Sequence, residues 1–256
     1  MRIARLVLLG VVCYLIAMVV LFPAAPVVDR IRPQLGPVAL EGVSGRLFSG
    51  RVARVASTDD LLPLEASNLR WRLAPTALLS GGGAKLTLDA YGGETSALVK
   101  RSWAGNIEVQ DLELMARAKE LEPLLPAPIA AFDGDIAADV VTVLLENNLL
   151  TRFEGEITWS NAVLERPVAV RLGNIRITVV PNDDGTHAGT LNVSDGDVDG
   201  TGDFTLASNG DYTLNMQLTP AENAPADVVN NLRTIARADA QGRYTVNQSG
   251  NVNRLM

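Results

Sequence analysis

The chain has 256 residues, of which 22 are Lys or Arg, 29 are Asp or Glu, and one each is His and Cys, so its net charge is -7. This balance disfavours nucleic-acid binding, which needs clustered cations on the protein surface. One Cys excludes an intramolecular disulfide, a Cys-based zinc site and an iron–sulfur cluster, and one His excludes a metal site with two imidazole ligands. The composition therefore disfavours most catalytic classes, and we expect no cofactor.

The N-terminal segment predicts a membrane anchor. Residues 6–22 form a run of seventeen residues without a charge, and a helix of that length spans roughly 26 Å, close to the ~30 Å hydrocarbon core of a bilayer. Arg2 and Arg5 precede the run, so the positive-inside rule predicts that residues 1–5 are cytoplasmic. The rest of the chain carries 20 basic and 29 acidic side chains, a charge of -9, and we expect it to be periplasmic.

A cleaved signal peptide is the competing interpretation. Its apolar region is ordinarily about 7–15 residues long and ends at a small-x-small cleavage site. Here the run is longer, and the small pair Ala24-Ala25 is followed by Pro26, which is unfavourable just after a cleavage site. Cys13 lies inside the run behind Val11-Val12, which does not fit a lipoprotein. We therefore favour an uncleaved anchor.

The remainder divides into a Pro-rich stalk, residues 23–37, and a β-rich domain, residues 38–256. Residues 65–73 show the clearest strand pattern, because Leu69, Trp71 and Leu73 alternate with polar residues. Short apolar segments of this kind, separated by Gly, Asn and Asp turns, predict antiparallel strands. The predicted strands are residues 38–43, 45–52, 65–73, 84–91, 104–114, 132–145, 153–164, 168–180, 186–193, 202–208, 211–218 and 242–250.

Two segments have a helical character instead. Residues 113–125 have helix-forming composition up to Pro123, and residues 225–239 begin with Pro and Asp and then repeat apolar residues at helical spacing. The predicted fold class is therefore mainly β. It consists of one N-terminal transmembrane helix followed by a periplasmic antiparallel sheet with one or two short helices, and an open, curved sheet is one form that this arrangement can take.

An acidic repeat is the sharpest local motif. Asp195, Asp197 and Asp199 alternate with Gly, Val and Gly, as in the first half of a calcium loop, and Asp203 stands where a further ligand could fall. However, Leu206 occupies the position of the closing Glu, and the flanking segments are predicted strands rather than helices. We therefore favour an acidic turn over a calcium site.

The single histidine is the remaining candidate for catalysis. His187 lies in a predicted hairpin, and pairing with a serine would require a nucleophile motif such as G-x-S-x-G, which the sequence lacks. The glycines at residues 81–83 lack the Lys and Ser/Thr of a phosphate loop. We therefore predict no catalytic residues, no metal site and no enzymatic activity.

Three short patches carry a resemblance to a known family. The first comprises Gly42, Gly45, Leu47, Phe48 and Gly50, the second Trp71, Pro75, Leu78 and Gly81, and the third Gly242 and Tyr244. Together with the anchor, they resemble protein N of the bacterial type II secretion system (general secretion pathway protein N). Phe48 stands where many members are expected to carry Trp, and residues 84–220 match only in their general β character.

The resemblance implies an inner-membrane, single-span accessory component that contacts other type II secretion components, and it carries over no catalytic residue. An alternative remains open, because the Gly-punctuated amphipathic strands are also similar to those of bridge-like proteins that shield acyl chains in a curved sheet. That alternative predicts an envelope protein that handles lipid. Nucleic acid is not an expected partner under either hypothesis.

Overall fold

The computed structural model describes residues 10, 14, 18, 20–34, 36–57, 65–74, 81–124, 131–146, 149–166 and 169–251. Most of the predicted anchor, including Cys13, lies outside these residues, so the prediction for residues 6–22 stays a prediction. Among the residues that are described, no helix is both long enough and apolar enough to cross a membrane.

In the described part of the chain, fourteen strands form one antiparallel sheet, which confirms the predicted fold class for the β-rich part. β2 pairs with the first part of β3, and β1 pairs with its last part. From β3 onward each strand pairs with the next along the chain. The strands are β1 (Val38–Glu41), β2 (Ser44–Arg46), β3 (Ser49–Ser57), β4 (Glu65–Leu73), β5 (Gly83–Ala90), β6 (Gly93–Arg101), β7 (Ile107–Arg117), β8 (Ala131–Glu146), β9 (Leu149–Arg166), β10 (Val170–Pro181), β11 (His187–Ser194), β12 (Val198–Leu206), β13 (Asp211–Pro220) and β14 (Tyr244–Asn251).

Two α-helices accompany the sheet. α1 (Ala24–Ile31) and a 3-10 turn (Arg32–Gln34) occupy much of the segment predicted as a stalk, and α2 (Ala226–Ile235) confirms the helix predicted within residues 225–239. The helix predicted for residues 113–125 is wrong in its first part, because residues 113–117 belong to β7. There Leu112, Leu114 and Ala116 are partly or fully buried and alternate with exposed residues. The pairing of β7 with β8 overrides the helix propensity of this segment. A 3-10 helix, Ala118–Leu124, follows.

The two faces of the sheet differ in chemistry. Opposed residues of β7 to β14 form three cross-strand rows of mostly apolar side chains, which we call the apolar face. The rows are Ala116–Ile136–Trp159–Ile175–Val193–Gly200–Leu218–Tyr244, Leu114–Ala138–Ile157–Ile177–Leu191–Gly202–Met216–Val246 and Leu112–Val140–Gly155–Val179–Gly189–Phe204–Leu214. The opposite face carries hydroxyl, amide and charged side chains, as in the row Thr190–Asp203–Asn215–Asn247. Alternation along each strand thus produces an amphipathic sheet.

Within the described part of the chain, helix covers only part of the apolar face. Val228 and Leu232 of α2 are buried against Val198 and Tyr244, and these four residues form one core cluster. A second cluster forms at the other end of the sheet around Val52. Many row residues between these clusters are only half buried, which leaves the middle of the apolar face accessible.

Candidate functional site

The first two family-like patches lie together in the structure. β2 and β3 form a tight hairpin, and Trp71 of β4 packs on it. The Trp71 indole N–H donates to the carbonyl oxygen of Leu47 at 2.9 Å, and the backbone N–H of Leu73 donates to the carbonyl oxygen of Phe48 at 2.8 Å. These contacts join residues that are more than twenty positions apart in sequence. We call β2, β3 and Trp71 the motif hairpin.

Glycine is required at two positions of the motif hairpin. A Cβ atom on Gly50 would lie 2.2 Å from the Trp71 ring, and one on Gly45 would lie 2.6 Å from Gly50 Cα. Gly45 also has a φ of +99°, which L side chains rarely adopt. The glycines therefore allow the two strands and the indole to approach one another closely.

The other patch residues are dispersed. Gly42 precedes β2 and Gly81 precedes β5, whereas Pro75 and Leu78 lie outside the described residues. Gly242 and Tyr244 lie at the opposite end of the strand order, at the start of β14. The third patch therefore does not join the first two.

The motif hairpin is connected to the N-terminal segment. The backbone N–H of Leu47 donates to the carbonyl oxygen of Phe22 at 2.9 Å, and Pro23 forms an isolated antiparallel bridge with Arg46. The hairpin is thus held against the residues at which the predicted anchor ends.

The acidic repeat forms the bend between β11 and β12 and the start of β12. Asp197 is buried, with 3% of its surface exposed. Its carboxylate accepts hydrogen bonds from Arg171 Nη2 at 2.6 Å, Arg171 Nε at 3.1 Å and the Arg171 backbone N–H at 2.9 Å. Asp195, whose φ is +64°, accepts from Asn174 Nδ2 at 3.0 Å. Asp199 and Asp203 are exposed residues of β12.

The environment of Asp197 shifts its pKa. Burial raises the pKa of this carboxyl, but the hydrogen bonds from the Arg171 side chain and backbone, together with the guanidinium charge, outweigh burial and hold the pKa below its usual value. The carboxylate thereby fixes the β11–β12 bend to the start of β10. Within the part of the chain that the structure describes, no three His, Cys, Asp or Glu side chains are grouped so that they could hold a metal ion.

We expect Asp197→Asn to lower the free energy of unfolding by about 1–2 kcal/mol at pH 7, because it removes the charge from a buried carboxylate whose partner, the Arg171 guanidinium, is largely exposed to solvent. A lowered pKa means that the ionised carboxylate stabilises the fold above the unfolded-state pKa of about 3.9, and that this stabilisation is lost as the pH falls through the folded-state pKa. Urea unfolding should therefore separate the variant from the wild type at neutral pH and bring them together in acid.

Asp183→Asn is the matched control, because Asp183 is exposed in the β10–β11 turn and forms no ion pair among the described residues. It should leave the unfolding curve unchanged at both pH values. An Asp197→Asn variant as stable as the wild type at pH 7 would show that the Arg171 contacts contribute nothing net.

His187 has a structural contact rather than the surroundings of a catalytic base. It is 1% exposed, and its Nε2 accepts a hydrogen bond from the backbone N–H of Phe153 at 2.9 Å. In the sheet register it lies opposite Pro181 and Leu206. Its Nδ1 is buried and has no hydrogen-bond partner among the described residues. The nitrogen that could act as a base is therefore already used to satisfy a strand amide.

Sequence reasoning missed a cavity between α2 and the apolar face. Its volume is about 500 Å³, and its described lining consists of eleven aliphatic or methionine side chains together with Asn231 and Thr234. A smaller cavity of about 180 Å³ lies beside the 3-10 helix Ala118–Leu124 and is lined partly by Trp159. Trp159 lies opposite Ile175, which lines the larger cavity, so the two cavities are neighbours on the apolar face. The apolar spacing of residues 225–239 was the available signal, but it does not reveal how far the helix stands from the sheet.

Comparisons with known proteins agree with the resemblance found in the sequence. The family model described as type II secretion system (T2SS), protein N, matches residues 36–247. The chain is similar to the type II secretion system protein N of Aeromonas hydrophila, with 26% identity over 95% of this chain and 96% of the relative. It is also similar to that of Vibrio cholerae serotype O1, with 25% identity over 82% of this chain and 84% of the relative. No solved structure matches the chain significantly.

Proposed function

The chain belongs to the protein N family of the type II secretion system, and we propose that it acts as a non-enzymatic, inner-membrane accessory component of that machinery. In this proposal residues 6–22 anchor it, the N-terminus is cytoplasmic, and residues 38–256 contact other type II secretion components in the periplasm. The contacts of His187 and Asp197 support a structural rather than a catalytic use of both side chains.

The observation that carries this proposal is the edge of the sheet formed by β14. Within the described residues β14 pairs with β13 on one side and otherwise makes one isolated bridge, between Tyr244 and Ala238. Its eight residues include no charge and no proline, and its register with β13 contains no bulge. Edge strands are normally protected by one of these devices. Beyond the bridge at Tyr244, the edge from Thr245 onward therefore suits the addition of a strand from a partner.

The register also defines the partner segment. Tyr244 and Val246 continue the apolar face, whereas Thr245 and Asn247 continue the polar face. Tyr244 is already bridged to Ala238, so a strand that adds to β14 would pair from Thr245 onward, with an apolar side chain beside Val246 and polar side chains beside Thr245 and Asn247. An extended, alternating segment of another secretion component fits this description.

Site-specific photocrosslinking in cells tests the proposal. Asn247 is replaced by p-benzoylphenylalanine, and the control carries the same replacement at Asn192, an exposed residue of β11 on the same polar face. β11 lies three strands inward, about 14 Å away at the usual strand spacing. We expect a type II secretion component to be captured from residue 247 and not from residue 192. Equal capture at both positions, or none at either, would contradict docking at the edge.

The cavity under α2 favours a second candidate function, the handling of envelope lipid. The strands that line it pair their backbone groups within the sheet, and its described side chains offer one amide and one hydroxyl. A volume of about 500 Å³ lies within the range of small-molecule sites, and apolar cavities exclude water and accept apolar ligands. Continuity with the apolar face suits a long alkyl chain.

Photoreactive lipid distinguishes the two functions. Cells grown on a diazirine-bearing fatty acid incorporate it into their phospholipids. After irradiation and trypsin digestion, the label should lie on the peptides 153–171 and 177–233, which contain most of the residues that line the cavity. Asn231→Trp fills the cavity and should reduce this labelling severalfold, whereas Asn230→Trp, on the exposed side of α2, should not. Labelling restricted to residues 6–22 would exclude lipid handling by the sheet.

A further inference from the structure

A block of cations lies on the polar face of β2 to β5. Two cross-strand rows meet there, and together they contain five cations, three hydroxyl groups and no carboxylate. The rows are Arg46–Ser49–Arg72–Lys85 and Ser44–Arg51–Arg70–Thr87. We call these eight residues the cationic block. All five cationic residues are exposed, and among the described residues none of them forms an ion pair.

This arrangement is electrostatically unfavourable without a ligand. Arg51 lies directly opposite Arg70, and Arg72 lies directly opposite Lys85. Like charges that face each other across neighbouring strands repel, since their Cβ atoms are only about 5 Å apart. Other exposed arginines of the sheet, such as Arg152 and Arg176, are instead paired with glutamates. An anion bound over the cationic block would relieve the repulsion.

The block surrounds a cleft with the donors that a phosphate group needs. The cleft has a volume of about 730 Å³, and its lining includes Arg51, Arg70, Arg72, Lys85 and the hydroxyl groups of the block. Guanidinium groups bind phosphate oxygens through two parallel N–H donors, and hydroxyl groups supply further donors. Arg51 Nε donates to Ser44 Oγ at 3.1 Å, and this contact holds the Arg51 guanidinium within the block.

The position of the block identifies the source of the phosphate. β2 is tied to Phe22 and Pro23, where the predicted anchor ends. Residues 1–90 contain ten basic and six acidic side chains, whereas residues 91–256 contain twelve basic and 23 acidic ones. The membrane-proximal part of an acidic protein is therefore positively charged. We propose that the cationic block binds the phosphate headgroup of an anionic phospholipid at the membrane surface, an inference that rests on the proposed anchor.

Native mass spectrometry of the full chain tests this inference. The protein is purified in dodecyl maltoside and mixed with equimolar phosphatidylglycerol and phosphatidylethanolamine. The wild type should retain phosphatidylglycerol severalfold over phosphatidylethanolamine, and an excess of inorganic phosphate should not displace it. The double variant Arg70→Gln/Arg72→Gln should bind the two lipids equally. Because it also removes like-charge repulsion, its thermal unfolding midpoint should be equal to or above that of the wild type.

The matched control is Arg152→Gln/Arg176→Gln, which removes the same charge from the polar face of β9 and β10 and should keep the preference. Arg51→Gln/Lys85→Gln repeats the test from the neighbouring strands. Equal retention of both lipids by the wild type, an unchanged preference in both block variants, or displacement by inorganic phosphate would overturn the inference. None of these results bears on the β14 crosslink, so failure here is distinguishable from failure of the proposed secretion role.

Discussion

Gly50→Ala is expected to lower the free energy of unfolding by about 2–3 kcal/mol, because overpacking a closely packed contact costs energy of this order. The added Cβ would lie 2.2 Å from the Trp71 ring and 2.7 Å from the carbonyl oxygen of Ser44. If the indole moved away from the added Cβ, it would disturb its hydrogen bond to the carbonyl oxygen of Leu47, which joins β4 to the β2–β3 turn. Chemical unfolding followed by circular dichroism measures the loss.

A double-mutant cycle separates this clash from a general sensitivity of the strand. Trp71→Ala alone should cost about 3 kcal/mol, because it removes a large partly buried side chain. In the Trp71→Ala background, the added cost of Gly50→Ala should fall to less than half, with the Ser44 contact accounting for the remainder. Additive costs would mean that the indole does not explain the glycine at residue 50.

Strands with a regular alternation of apolar and polar residues are predictable from the sequence, whereas a run of consecutive apolar residues can hide a strand. β4 was predicted with its observed bounds, residues 65–73, because its apolar residues alternate. β6 was missed, because Ala97, Leu98 and Val99 are consecutive apolar residues and hide the period of two. The sheet explains this run, since the β6–β7 register shifts between Ser96 and Leu98.

The candidate sites depended on contacts that sequence spacing does not report. The Asp197–Arg171 contact joins two neighbouring strand ends across 26 positions, and the acidic repeat alone suggested a different chemistry. The cationic block was partly visible, because Arg70 and Arg72 alternate with apolar residues. Arg51 and Lys85 could be assigned to the same block only once the registers of β3 and β5 were known.

Proline substitution in β14 should reduce secretion without unfolding the protein, provided that it falls at the correct one of two adjacent positions. Successive residues of an edge strand direct their amide groups alternately toward the neighbouring strand and outward. Of Asn247→Pro and Gln248→Pro, one therefore breaks a bond to β13, at a cost of about 2 kcal/mol. The other removes only an outward donor, a position that tolerates proline.

The two variants control for each other. Loss of one outward donor leaves a partner carbonyl unpaired, which weakens strand addition roughly tenfold. The variant with wild-type thermal stability should therefore release much less exported protein into the medium and show a weaker crosslink from the edge. If that stable variant secretes normally and only the destabilised one fails, then β14 matters for folding alone and partners dock elsewhere. The thermal unfolding midpoint shows which of the two proline variants has lost a bond to β13, and this measurement does not depend on secretion. The secretion of the stable variant therefore tells whether β14 serves partner docking or only folding, even if the partner is not known.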